Sequence, residues 1–245
     1  MGRVDGKVAF VPLTAPGDVI RGRVVEEKKQ LLFGELETLL KPSANRRPPP
    51  CPVFGACGGC HWQHLPYDLQ VAWKERIFRD MLQRGVNVPE EVFVPAVPSR
   101  REWGYRNRMQ FKCRLTKQGF IAGFYRRQSH FVIAIDSCPL ADSAINETLG
   151  RYRRLMGRSS HGDRIPQIDI ATDEEGTVRV VVHHLLKEDG ALVDHLLPEA
   201  IAAGDSLYLQ AGRNHTLRRL HGRGRLFIHP LAAAEQPRLG HEAGS

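Results

Sequence analysis

The stretch PSANRRPPPCP, residues 42–52, constrains this chain most. Its five prolines remove backbone donors and fix φ, so it forms neither a helix nor a central strand. Three cysteines then crowd into CPVFGACGGCHWQH, where Cys51, Cys57 and Cys60 are spaced C-x5-C-x2-C. Regular elements must therefore form on either side of a stiff, thiol-bearing connector.

Before the connector, KVAFVPL, VIRGRVVEEKK and LLFGELETLL are β-branched runs divided by Pro12 and Pro16-Gly17, which predicts three strands of a small barrel or sheet. After it, Leu69, Trp73, Ile77 and Met81 recur every four residues, with Phe78 and Leu82 widening the stripe. That period predicts a helix from about Pro66 to Arg84, closed by Gly85. From Arg106 to Ile135 the pattern is β: Met109, Phe111, Cys113 and Leu115 share one face, and Gln110, Lys112 and Arg114 the other. GFIAGFY and HFVIAI continue as strands. Next come a helix over 139–156, a hairpin turning on Glu175-Gly176, a helix over 188–203, and the strands SLYLQ and LFIHP. LAAAEQPRLGHEAGS has neither period and reads as a tail. The class is α+β, without internal repeats.

Composition narrows the function. Hydrophobic residues are 42% and charged residues 25% of 245, which excludes wholesale disorder. No apolar run approaches the ~20 residues a bilayer span needs, and MGRVDGKVAF has no export pattern, so the expectation is a cytoplasmic protein with no membrane partner. Lys plus Arg outnumber Asp plus Glu by 35 to 27, a net charge of +8 that suits a polyanion.

Clustered thiols in such a chain read as metal ligands before disulfides. Gly58 and Gly59 let backbone N–H groups approach the sulfurs. Cys138, in the tight DSCPL turn, is the candidate fourth ligand. Spacing leaves two centres open: an iron–sulfur cluster, or zinc held by the three thiolates with His61 or His64. Cys113 belongs to the inner face of its strand, and free cysteine is commonly buried there.

Together CPVFGACGGCHWQH, YDLQVAWKERIF, YRNRMQFK and GFYRRQSHFVIAIDSCPL, in that order, resemble the iron–sulfur RNA uracil-5-methyltransferases, in particular those acting on 23S ribosomal RNA. The resemblance runs from about Gly6 to Leu226. It implies a 4Fe-4S cluster on Cys51, Cys57, Cys60 and Cys138, with His61 and His64 as loop-packing groups. It also implies an N-terminal OB-like TRAM barrel over residues 1–45, incomplete and lacking its first strand. A linker with the iron–sulfur loop (46–64), a central α+β domain (65–230) and a tail (231–245) then follow. No doubly wound methyltransferase domain is expected, because His221 to Arg225 lacks the strand–loop–helix context of a cofactor loop and no cysteine follows Cys138. S-adenosylmethionine is thus expected only where a second polypeptide supplies a catalytic domain, and the chain alone is expected to be a trimmed, inactive family member, its tail a frameshift scar.

Ribosomal RNA is the expected partner. Arginines cluster at Arg46-Arg47, Arg100-Arg101, Arg106 and Arg108, Arg126-Arg127, and Arg213 to Arg225. Arginine pairs bidentately with phosphate and stacks on bases. Arg106, Arg108, Arg126, Arg127 and the stacking aromatic Tyr125 are the candidate contacts. Two rival readings are a zinc-dependent nucleic-acid-binding module and an electron-transfer iron–sulfur protein.

Overall fold

A computed structural model describes residues 2–86, 88–212 and 216–224. The chain packs as two compact units, Met1–Tyr105 with Phe124–Leu140, and Arg106–Gly123 with Ala141–Ser245. The packing thus divides the chain elsewhere than at the expected borders. The segment after Gly123 returns to the cysteine loop instead of staying with the strand it continues.

In the first unit, β1 (Gly2–Val4), β2 (Lys7–Phe10), β3 (Val19–Glu27) and β4 (Leu31–Lys41) form a sheet of order β1-β2-β4-β3. Sequence reasoning expects three of these. The fourth, β1, folds back onto β2 through Asp5-Gly6, whose φ values of 49° and 78° make the two-residue turn that suits a twisted hairpin. This sheet buries little apolar surface, chiefly Ala9 and Ala15. A polar clamp fastens it to the proline-rich connector. Asp18 accepts from the N–H of Ala15 (2.6 Å) and of Ser43 (2.9 Å), and from Arg46 Nε (2.8 Å) and Nη2 (2.9 Å). Burial raises the Asp18 pKa, but Arg46 and the two amides outweigh it and hold the carboxyl at about 2.

Helix α1 spans Tyr67–Val86, close to its expected range. Its period is as read, yet none of its residues is buried, and Ile77, Phe78 and Met81 are exposed. Phe78 meets Phe93 edge-on at 6.3 Å between centroids.

The larger sheet has the order β11-β10-β9-β8-β5-β6-β7. Its strands are β5 (Arg108–Thr116), β6 (Gly119–Tyr125), β7 (Val132–Ala134), β8 (Gln167–Thr172), β9 (Val178–His184), β10 (Ser206–Ala211) and β11 (Arg218–Arg219). The alternation read in β5 holds as far as Arg114: Met109, Phe111 and Cys113 are buried, Gln110 and Arg114 are exposed and Lys112 is half-buried, but Leu115, expected on the inner face, is exposed at the strand's end. The buried side packs under helices α2 (Ser143–Gly157) and α3 (Gly190–Ala203). Helix α2 starts later than expected because Asp142 is its cap, accepting from the Ala144 N–H at 2.9 Å. The β8–β9 hairpin turns as expected, with Gly176 at φ 78° and Asp173 Oδ1 accepting from the N–H of Glu175 and of Thr177. Strand β11 was not expected. The expected strand LFIHP and the tail lie outside the described residues. Among the described residues no helix is long and apolar enough to cross a membrane.

Candidate functional site

The cysteine loop is built by its own backbone. Phe54 N–H donates to Cys51 O (3.1 Å), and Val53 O accepts from Ala56 N–H (3.2 Å) and Cys57 N–H (2.9 Å). Gly55 sits at φ 87°, a conformation that favours glycine. The loop is then stitched to the end of β6. Cys57 bridges Arg126 in antiparallel fashion, Gly58 N–H donates to Tyr125 O (3.0 Å), and Arg127 N–H donates to Ala56 O (3.1 Å). A Cβ at Gly58 would stand 3.1 Å from Tyr125 O and 3.5 Å from Arg127 Cα. The close backbone approach therefore favours glycine there.

None of the five cysteines forms a disulfide, and Cys51, Cys57, Cys60 and Cys138 are half-buried within the first unit. Gly59 N–H donates to Cys57 Sγ at 3.4 Å. Burial pushes the Cys57 thiol up, the Gly59 N–H pulls it down, and the nearby Cys60 and Cys51 push it up again. Cys57 thus feels the charge of two other expected ligands. Cys138 precedes Pro139, whose carbonyl accepts from Gly104 N–H at 2.9 Å. Among the described residues no three side chains of metal-ligating type are gathered closely enough to hold a single ion. The donor set itself, four thiols outside any disulfide in one compact unit, fits the chemistry of a thiolate-bound cluster.

His64 is buried, its Nε2 is 3.2 Å from Thr14 O and its ring is 5.5 Å from Phe54, so it packs the loop. Two of the sequence-marked arginines are structural. Arg46 closes the Asp18 clamp. Arg47 pairs with Glu102, donates to Gln63 O and lies 5.3 Å from the Trp103 ring. Cys113 is buried in the second unit, and burial pushes its thiol up to about 12. It is no nucleophile.

An open groove of about 710 Å³ lies against the loop, floored by Gly58 and Gly59 and walled by His61, Tyr125, Arg127 and His130. Tyr125 and His130 meet edge-on at 5.5 Å. The turn that carries them closes through Arg126 N–H to Phe131 O (2.7 Å) and leaves the Phe131 ring 77% exposed. Sequence reasoning names Tyr125, Arg126 and Arg127 but misses His130 and Phe131. Their signal was the Gln128-Ser129 turn, which projects the start of HFVIAI beside the preceding strand. Arg106 and Arg108 belong to the second unit, both exposed, with Arg106 O accepting from Asp142 N–H at 2.9 Å. The structure thus divides the five candidate contacts between its two units. A groove of cation and aromatic ring can hold a phosphate and stack an unpaired base.

The homologues of this chain are RNA uracil-C5 methyltransferases. The 23S rRNA (uracil(1939)-C(5))-methyltransferase RlmD of Azoarcus sp. strain BH72 is 33% identical over 225 residues, 91% of this chain and 52% of the relative. Its counterpart in Thiobacillus denitrificans is 36% identical over 191 residues, 76% of this chain and 43% of the relative. The crystal structure of Pyrococcus abyssi tRNA (uracil-54, C5)-methyltransferase in complex with S-adenosyl-L-homocysteine matches in fold. Its TM-score is 0.58 and its identity 22%, over 90% of this chain and 51% of that one. The chain spans about half the length of the curated relatives it matches. No family model matches it.

Proposed function

We propose that this chain is the RNA-recognising, 4Fe-4S-bearing part of a 23S rRNA uracil-C5 methyltransferase. The carrying observation is the stitch between the CGGC loop and Tyr125–Arg127, which makes one wall of a cationic, aromatic groove from the segment that bears the thiols. In this reading Tyr125 stacks an unpaired base. Arg126 and Arg127 hold the phosphate beside it, and Arg106 and Arg108 hold a further stretch of RNA.

Cys51, Cys57, Cys60 and Cys138 would hold the cluster. When bound, the cluster supplies a rigid cross-link that ties the connector to the loop. N–H groups such as that of Gly59 stabilise thiolate charge. Residues 1–45 serve as a small RNA-binding module. The likeness to RNA uracil-C5 methyltransferases supports, within this reading, a part in methyl transfer from S-adenosylmethionine and a cytoplasmic setting. The chemical step is assigned to none of the described residues, because the one thiol outside the ligand set, Cys113, is buried.

Anaerobic purification with iron and sulfide analysis, paired with RNA binding over a salt series, tests this. The expected result is about four irons per chain, lost in Cys51→Ser and Cys138→Ser. RNA affinity should fall steeply with salt, the slope shrinking by about 0.7–0.9 for each of Arg126→Gln and Arg127→Gln. Zinc in place of iron, or binding indifferent to salt, overturns it.

A further inference from the structure

The register of the larger sheet sorts its side chains onto two unlike faces. One, with Phe111, Ile168, Val180 and Leu207, is fully buried. On the other, Arg108, Ala171 and Arg179 form one cross-strand row, and Lys112, Gln167 and His183 another. Arg114 extends β5, and Arg219 joins the same face through its pairing with Tyr208.

Three features of this polar face bear on its partner. Its cations are unspent: among the described residues Arg114, Arg179 and Arg219 make no ion pair. Its one central carboxylate is occupied, since Asp169 accepts from Gln110 (3.2 Å) and Gln167 (2.5 Å) and stands 3.4 Å from His183 Nε2. Its centre is mixed: Lys112 donates to Gln167 beside that network, while Val181 lies between Asp169 and Tyr208, and Ala171 between Arg108 and Arg179. Protein interfaces keep an apolar centre and shed charge from it. This face departs from that pattern, with guanidinium groups around a middle that holds the hydrogen-bonded Asp169 network and only two small apolar side chains, Val181 and Ala171. Alternate residues along β5 lie about 7 Å apart, and neighbouring strands about 4.8 Å, so the cations form a grid and not a point. The aromatic on the face, Tyr208, is 8% exposed and donates to Arg223 O at 3.0 Å, so it is not a stacking platform.

We propose that this polar sheet face binds the phosphodiester backbone of RNA through Lys112, Arg114, Arg179 and Arg219, without regard to base sequence. The proposal rests on the RNA-binding reading above and adds to it a second surface, one that supplies affinity where the Tyr125 groove supplies choice of base.

The test uses the full chain and two fluorescently labelled RNAs, a hairpin and a single strand of unrelated sequence. In the triple variant Arg114→Gln/Arg179→Gln/Arg219→Gln the slope of log affinity against log salt should fall by about 2–3, alike for both RNAs. Tyr125→Ala should instead change the preference between them. As a second measurement on the unaltered protein, bound RNA should protect Arg114 and Arg179 from an arginine-modifying dicarbonyl reagent. A triple variant with unchanged slope, and arginines modified equally with and without RNA, overturns the proposal while leaving the groove reading intact. If that variant loses affinity for an acidic protein surface but not for RNA, the face is a protein-docking site and the proposal fails. If the unaltered chain binds neither RNA, the underlying reading fails first.

Discussion

Asp18 makes the sharpest test of how the N-terminal sheet is held, because its environment assigns an energy. In the folded chain its carboxyl, 2% exposed, titrates at about 2 against an ordinary 3.8. At about 1.4 kcal/mol for each tenfold change in proton affinity, the clamp contributes about 2 kcal/mol when ionised. The sign follows from the lowered value: the contribution is complete above the unfolded value and disappears as pH falls toward the folded one. Replacing Asp18→Asn removes the charge and leaves the Arg46 guanidinium, 17% exposed, without its partner. Denaturant unfolding should show the variant less stable by about 2–3 kcal/mol at neutral pH. The gap should narrow below about pH 4 and close near pH 2. Equal stability at neutral pH, or a gap that stays constant into acid, would refute the reasoning.

Other outcomes follow from single contacts. Gly58→Ala should cost about 1–3 kcal/mol, because its Cβ meets Tyr125 O at 3.1 Å, and should lower iron content and RNA affinity together, read by metal analysis and fluorescence anisotropy. Asp173→Ala should cost about 1 kcal/mol by freeing the Glu175 and Thr177 N–H groups, seen as faster hydrogen exchange in the β8–β9 turn. In metal-free protein a thiol reagent should label Cys51, Cys57, Cys60 and Cys138 quickly. Cys113, pushed up to about 12, should react only on unfolding.

Much of this was legible in the chain. The two-residue period of MQFKCRL placed Cys113 in the core, and Glu175-Gly176 marked its hairpin, because both signals are local. The opening strand was missed although Asp5-Gly6 is a strong hairpin signal, since GRV is too short to show a period. The fate of Arg46 and Arg47 was not legible either. Their partners, Asp18 and Glu102, lie 28 and 55 residues away, and only the folded connector brings them together. The cysteines could be counted, but not the stitch of Cys57 and Gly58 onto Tyr125–Arg127. That contact pairs segments whose local patterns say nothing of each other.

The interleaving of the two units has a consequence for how the protein is made. The chain leaves the first unit after Tyr105 and re-enters it at Phe124, so the strand end that receives Cys57 and Gly58 is synthesised well after them. Cys138 follows Cys60 by 78 residues. At about 5–20 residues per second, a ribosome would display three thiols for roughly 4–16 s before the fourth emerges. A polypeptide cut short between Cys60 and Phe124 would hold those thiols in that nascent state permanently.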